Sequence, residues 1–220
     1  MTYSTIRCIQ YILLAVLLAI PLVGFGQPRE KAGAKEEKKG KGENVKEYAV
    51  LETSMGTFEV ELYPQDAPKT VENFVKLAEK KYFDGMRFHR VVKGFVIQIG
   101  DDKSKDTAKV AQWGTGGKSI WGKEFADELN PNAPSYKEGY KKGVLAMANR
   151  GPNTNTSQFF IMLGDNTRLP KNYTIFGKVI KGQEVVDKIG EVEVMPVMGQ
   201  DDGRPKVDVV MKKVTVKPAG

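Results

Sequence analysis

The sequence predicts a mainly β protein, a closed antiparallel barrel whose two ends are capped by α-helices. Three observations carry that expectation. Short apolar or alternating stretches recur from Tyr48 to the C-terminus, Gly- and Pro-rich punctuation separates them, and only two segments repeat apolar residues at helical spacing. With 220 residues, 40% of them hydrophobic, the chain can build one good-sized core with extensions.

The extension comes first. Arg7 supplies a positive N-terminal region, and Tyr11 to Val23 is uncharged and rich in Leu, Ile, Val and Ala. Gly24 and Gly26 place small residues before a cut at Gln27, so residues 1–26 read as a secretory signal. The apolar run falls short of the ~20 residues a spanning helix needs, which makes an uncleaved anchor the weaker alternative. An exported protein is therefore expected, periplasmic or otherwise extracytoplasmic. Residues 27–47 read as a charged, disordered linker: Gln27–Lys46 carries seven Lys/Arg against four Glu and almost nothing to bury. Its mixed charge favours a solvated spacer over a weak contact with an anionic membrane surface. Because this segment holds part of the formal charge of +7, the folded part lacks the basic excess of a nucleic-acid binder.

From Tyr48 onward each element has its own signal. Ala49, Leu51 and Thr53 alternate with Val50 and Glu52, Ser54-Met55-Gly56 turns the chain, and Phe58, Val60 and Leu62 alternate with Glu59 and Glu61, a β-hairpin. Asp66 and Pro68 open a helix in which Val71, Phe74, Val75 and Ala78 form one apolar stripe. Phe88 to Asp101, FHRVVKGFVIQIGD, reads as two short strands about Gly94, with Phe88 and Arg90 on one face and His89 and Val91 on the other. An Arg and a Gln set among so many apolar residues are costly to bury without a purpose. Asp102–Trp113 reads as a polar loop, Gly114–Gly117 as a tight turn, and Asn130–Lys142 as a second polar loop. Val144–Ala148, Gln158–Leu163 and Tyr173–Ile180 are strand-like, Glu184–Ile189 is a second helix, and Val207–Val216 is a closing strand.

Several chemistries drop out. Cys8 is the only cysteine, so there is no disulfide framework. His89 is the only histidine, which with no cysteine in a processed chain leaves no metal site of the usual N/S kind, and it is expected to be a satisfied buried residue. Asp101, Asp102 and Asp106 miss the calcium-loop spacing and read as loop solvation. The glycine run lacks the spacing of a phosphate-binding loop. Neither a metal nor an organic cofactor is expected.

The strings FHRVVKGFVIQIGD, GTGGKSIWGKEFADE, GVLAMANRGPNTNTSQFFI and YTIFGKV, in that order, resemble the cyclophilin-type peptidyl-prolyl cis–trans isomerases. The likeness runs from Tyr48 to about Lys217 and implies a domain over 48–218. It implies an eight-stranded closed antiparallel barrel with two capping helices and an open proline-binding groove. In that resemblance Arg90 takes the position of the catalytic arginine and Gln98 that of the polar residue beside it. Phe95, Val96 and Leu169 fall on pocket walls, Ala148 and Asn149 on the edge that aligns the substrate, and Gln158 on a second polar position. Phe160 falls on the floor of the pocket, and Tyr173 stands where many members carry His. Arg168 replaces a Trp tied to cyclosporin binding, Arg150 replaces a small residue at the rim, and the loop over 102–113 looks long. The implied partners are proline-containing polypeptides, and a monomer is expected.

Overall fold

A computed structural model describes residues 47–218; the expected signal and nearly all of the expected linker lie outside the described residues. Glu47, read as the last linker residue, instead opens β1 (Glu47–Thr53). The chain continues through β2 (Gly56–Leu62), α1 (Pro68–Glu79), β3 (Arg90–Val92), β4 (Val96–Ile99), α2 (Pro134–Glu138), β5 (Val144–Met147) and β6 (Phe159–Met162). It ends with β7 (Ile175–Lys181), α3 (Gln183–Gly190), β8 (Val194–Gly199), β9 (Asp202–Pro205) and β10 (Met211–Pro218). The segment expected as a polar loop after β4 forms two 3₁₀ turns, Asp102–Lys105 and Thr107–Gln112, and α2 lies inside the second expected loop.

The first hairpin folds as its alternation dictates. Ala49, Leu51, Thr53, Phe58, Val60 and Leu62 are all buried, and the register sets Leu51 opposite Phe58 and Ala49 opposite Val60. Helix α1 buries Val71, Phe74, Leu77 and Ala78, while Val75 is only half-buried, so the stripe is rotated slightly from the expected one. Its start is not capped by Asp66, whose carboxylate accepts from the Ser135 N–H. Glu128, remote in sequence, accepts from the N–H groups of Lys69 and Thr70 at 3.0 and 2.9 Å, pairing orphan donors at the positive end of the helix. Phe74 then packs against Phe83, Phe159 and Phe176 with ring centroids 5.2, 5.7 and 5.6 Å away.

All ten strands belong to one antiparallel sheet in the order β10-β1-β2-β7-β5-β6-β4-β3-β9-β8. This corrects the closed eight-stranded barrel: the ladder ends at β10 and β8, and an additional hairpin, β8–β9, takes the free edge of β3. Ahead of β3 the chain meets the segment leading into β10 through an Arg87–Val210 bridge, short backbone bonds such as Phe88 N–H to Val209 O, and the Arg87–Asp208 ion pair. Helices α1 and α3 both bury apolar faces in the main core, α3 through Val185, Val186 and Ile189.

Strands β4, β6 and β5 are buried on both faces. Ile97, Ile99, Phe159, Ile161, Leu145 and Met147 point into the main core. Val96, Phe160, Met162, Val144 and Ala146 alternate with them and build a smaller cluster with Tyr140 and Ile175. That double burial is why these stretches read as unbroken apolar runs. The smaller cluster underlies the site.

Candidate active site

The register of β3, β4, β6 and β5 places the central residues in one row across the sheet. Arg90 pairs with Gln98, Gln98 with Phe160, and Phe160 with Ala146. Directly opposed residues share a face, so the guanidinium, the amide and the phenyl ring stand side by side above the smaller cluster. The tight β3–β4 connection that sets this register has Gly94 at φ 68°, a conformation that a side chain resists. Phe88 does not share a face with Arg90 as its spacing suggests: it lies in the main core with Val91, because the chain is not yet a regular strand there.

Beside the row is a cavity of about 300 Å³ lined by Arg90, Phe95, Val96, Gln98, Ala148, Asn149, Phe160, Leu169 and Tyr173. These are the sequence candidates with one exception. Gln158 is buried behind the row, accepting from Gln98 Nε2 at 2.9 Å and donating to the carbonyls of Gly114 and Gly116 at 2.9 and 2.8 Å. Gln158 thus fixes the Gln98 amide and the glycine turn together, and it borders a smaller recess of about 80 Å³ that Gln98, Ala148 and Asn149 share. Tyr173 meets Phe160 edge-on at 5.5 Å, and its backbone is held by the Tyr140 hydroxyl, which donates to its carbonyl and accepts from its N–H, both at 3.0 Å. Burial raises the Tyr140 hydroxyl to about 12, so it remains a donor at neutral pH. Ala148 N–H continues the β5–β6 ladder by donating to Gln158 O, while the backbone of Asn149 has no partner among the described residues. Arg168 is exposed, and Arg150 is an exposed partner of Glu124.

The sequence reading missed Asp202. Its carboxylate accepts from Arg90 Nε and Nη2 at 2.8 and 2.7 Å, a two-point fork. That hydrogen bonding, working against partial burial, raises the arginine further above its already high range. With Nε and one edge of Nη2 engaged, Nη1 is left on the Gln98 side, 3.5 Å from its Oε1. A turn signal was present in Gly199-Gln200-Asp201-Asp202-Gly203, but nothing local says that the hairpin will pair with β3.

Two other expectations change. Asp101 is fully buried: it caps the first 3₁₀ turn through Lys103 N–H and accepts from Gly114 N–H, holding the glycine turn against the strands. Gly116 fits there because a Cβ would come within 2.1 Å of Asp101 Oδ1. Asp102 likewise accepts from Gly117 N–H; burial pushes it up, but this bond and Lys118 outweigh it and hold it below the usual range. His89 is buried but not satisfied, since neither ring nitrogen has a hydrogen bond. Burial lowers it to about 4, against smaller upward pulls from Asp101 and the neighbouring Gln158, so the ring is neutral. Among the described residues no cluster of His, Cys, Asp and Glu could hold a metal ion.

Sheet order, the row across it and the open apolar pocket define a class: antiparallel β proteins that present a guanidinium at the wall of a pocket sized for a small ring. Residues 48–216 match the family model described as cyclophilin type peptidyl-prolyl cis-trans isomerase/CLD. The chain is 43% identical over 166 residues to peptidyl-prolyl cis-trans isomerase-like 3 of Homo sapiens, covering 76% of this chain and 93% of that one. Against peptidyl-prolyl cis-trans isomerase-like 1 of Rhizopus delemar it is 45% identical, with 67% of this chain and 82% of that one covered. A crystal structure of a cyclophilin type isomerase from Cryptosporidium parvum superposes with a TM-score of 0.66 at 31% identity, over 80% of this chain and 99% of that chain. The same parasite protein in the presence of the dipeptide Ala-Pro gives 0.65 at 32% identity, over 77% and 98%. The chain belongs to the cyclophilin-type peptidyl-prolyl cis–trans isomerase family, and its activity is that of a peptidyl-prolyl cis–trans isomerase.

Proposed function

We propose that the cavity of about 300 Å³ holds the proline ring of the substrate, that Arg90 Nη1 is the catalytic donor, and that the clients are exported proteins. The observation that carries the site is the row Arg90, Gln98, Phe160, which sets one charged donor edge against an apolar pocket. Rotation about an X–Pro bond faces a barrier of ~18–20 kcal/mol, because the twisted amide loses resonance. No covalent step is needed. In the twisted state the imide nitrogen becomes pyramidal and gains a lone pair, and the carbonyl carries less charge. Arg90 donates to that lone pair or steadies the carbonyl, with its charge held by Asp202 and its plane fixed by the fork. The apolar walls Phe95, Val96, Phe160 and Leu169 favour the less polar twisted amide over the planar one, which is differential binding of the transition state. The free Asn149 backbone is suited to align the substrate as a short added strand.

The test is the isomerisation rate of a proline peptide with the protein and its Arg90→Ala variant. Loss of the donor is expected to cut kcat/KM by about 10²–10³, the range for one preorganised donor. A variant as fast as the wild type removes Arg90 from the mechanism, and an inert pair that still binds the peptide makes this groove a holder of proline segments. The export reading rests on the signal pattern of residues 1–26 and is supported by no described residue. Its test is the N-terminus of protein recovered from the cell envelope: Gln27 is expected, and protein found only in the cytoplasm with Met1 retained overturns it.

A further inference from the structure

Arg90 and Gln98 wall two cavities, and the proline pocket is the smaller. The larger, about 440 Å³, lies between the second 3₁₀ turn and the β8–β9 hairpin, with His89 on its inner side. One wall is Val110, Ala111 and Trp113; the opposite wall is Val197, Asp202 and Arg204. Trp113 is held in place. Its Nε1–H donates to Asp106 O at 3.0 Å, and the guanidiniums of Arg87 and Arg204 lie 5.5 and 5.3 Å from its ring centroid.

The charges around this cavity are already spoken for. Asp202 is forked by Arg90, Asp208 pairs with Arg87 and with Arg204, and His89 is neutral. What stands without a partner is apolar. Val197 is 74% exposed and Val110 40% exposed, one on each wall, and the indole beside Val110 lies close to two guanidiniums. An opening whose charged groups are all paired, with aliphatic lips and a fixed aromatic wall, suits a large apolar side chain better than an ion. Its continuity with the proline pocket through Arg90 and Gln98 makes the same polypeptide the natural occupant.

We propose that this cavity is a second substrate subsite that takes a large apolar, preferably aromatic, side chain flanking the isomerised proline. The proposal rests on the proline-pocket reading above and adds a sequence preference to it. Binding such a side chain only when the imide is seated beside Arg90 would raise turnover of selected X–Pro bonds and leave others slow.

The experiment is NMR exchange, which needs no coupling protease, on Ala-rich peptides with one proline. Phe is placed in turn at each position flanking the proline and compared with Ala and with Glu there, using the protein and its Val197→Asp and Trp113→Ala variants. At one position Phe is expected to raise kcat/KM about ten-fold over Ala, the lower end of what an apolar pocket discriminates. That ratio is expected to fall toward one in both variants; Val197→Asp, at an exposed lip, removes the affinity without disturbing the core. If every Ala peptide is accelerated yet no position favours Phe, the subsite is wrong and the isomerase site stands. A preference for Glu, or a Phe preference that survives Val197→Asp, also overturns it. If no peptide is accelerated at all, the proline-pocket reading fails and this proposal fails with it.

Discussion

At the scale of single residues, Asp202 is the group whose role the geometry defines most sharply. It never has to touch substrate, but it fixes which edge of Arg90 faces the pocket. Asp202→Asn keeps one acceptor and loses the two-point fork, so kcat is expected to fall by about 10–10²-fold with KM little changed, as the ~1.5–3 kcal/mol of a hydrogen bond to a charged group implies. Asp202→Glu, which can still fork, is expected to recover part of that loss; equal kcat in all three proteins would show Asp202 to be irrelevant to catalysis. His89 supplies a pH prediction. Its folded value near 4 lies below the ordinary 6.5, so between the two the unfolded chain binds more protons. Its contribution is complete above pH 6.5 and lost as the pH falls toward 4, by about 3 kcal/mol at 1.36 kcal/mol per unit. Urea midpoints across that window are expected to decline in the wild type and to flatten in His89→Phe. The pocket residues were legible because they cluster in a few ordered strings. Asp202 was not, because a carboxylate 112 positions from its arginine leaves no local trace.

At the scale of elements, the first hairpin and both longer helices could be read from periodicity alone, since each buries one face against a common core. The β8–β9 hairpin could not. Val194-Met195-Pro196 has the composition of an edge strand; it pairs with β9, which in turn covers β3. Gly203 is where the two strands of the hairpin pack closest, for a Cβ there would meet Met195 O of β8 at 2.0 Å. Gly203→Ala is expected to push β8 away from β9 and distort the hairpin, costing about 1–3 kcal/mol as overpacked sites do. Because Asp202 is the adjacent residue, it should lower kcat as well. Thermal melting and turnover measured on the same sample would separate this from a harmless change, in which both stay at wild-type values. The loop after β4 was misjudged for the opposite reason: its aspartates look solvated in sequence, yet Asp101 is turned inward as a scaffold for the glycine turn.

At the scale of the whole molecule, β1 is sandwiched between β2 and β10, pairing Leu51 with Phe58 on one side and Val214 on the other. Removing residues 211–220 would uncover one edge of β1 along its full length and strip Met211 and Val214 from the core. Such a truncation is expected to lose near-ultraviolet circular dichroism and to aggregate; a soluble, active fragment would show that β10 is dispensable. The antiparallel class was visible in sequence, but strand order was not, because pairing between the first and last strands is set by no neighbour in the chain.

That pairing also orders events during synthesis. The first strand cannot settle until the last has emerged, and Asp202, which anchors Arg90, is itself made only a few residues earlier. A growing chain therefore spends nearly all of its translation without a finished fold or a working site.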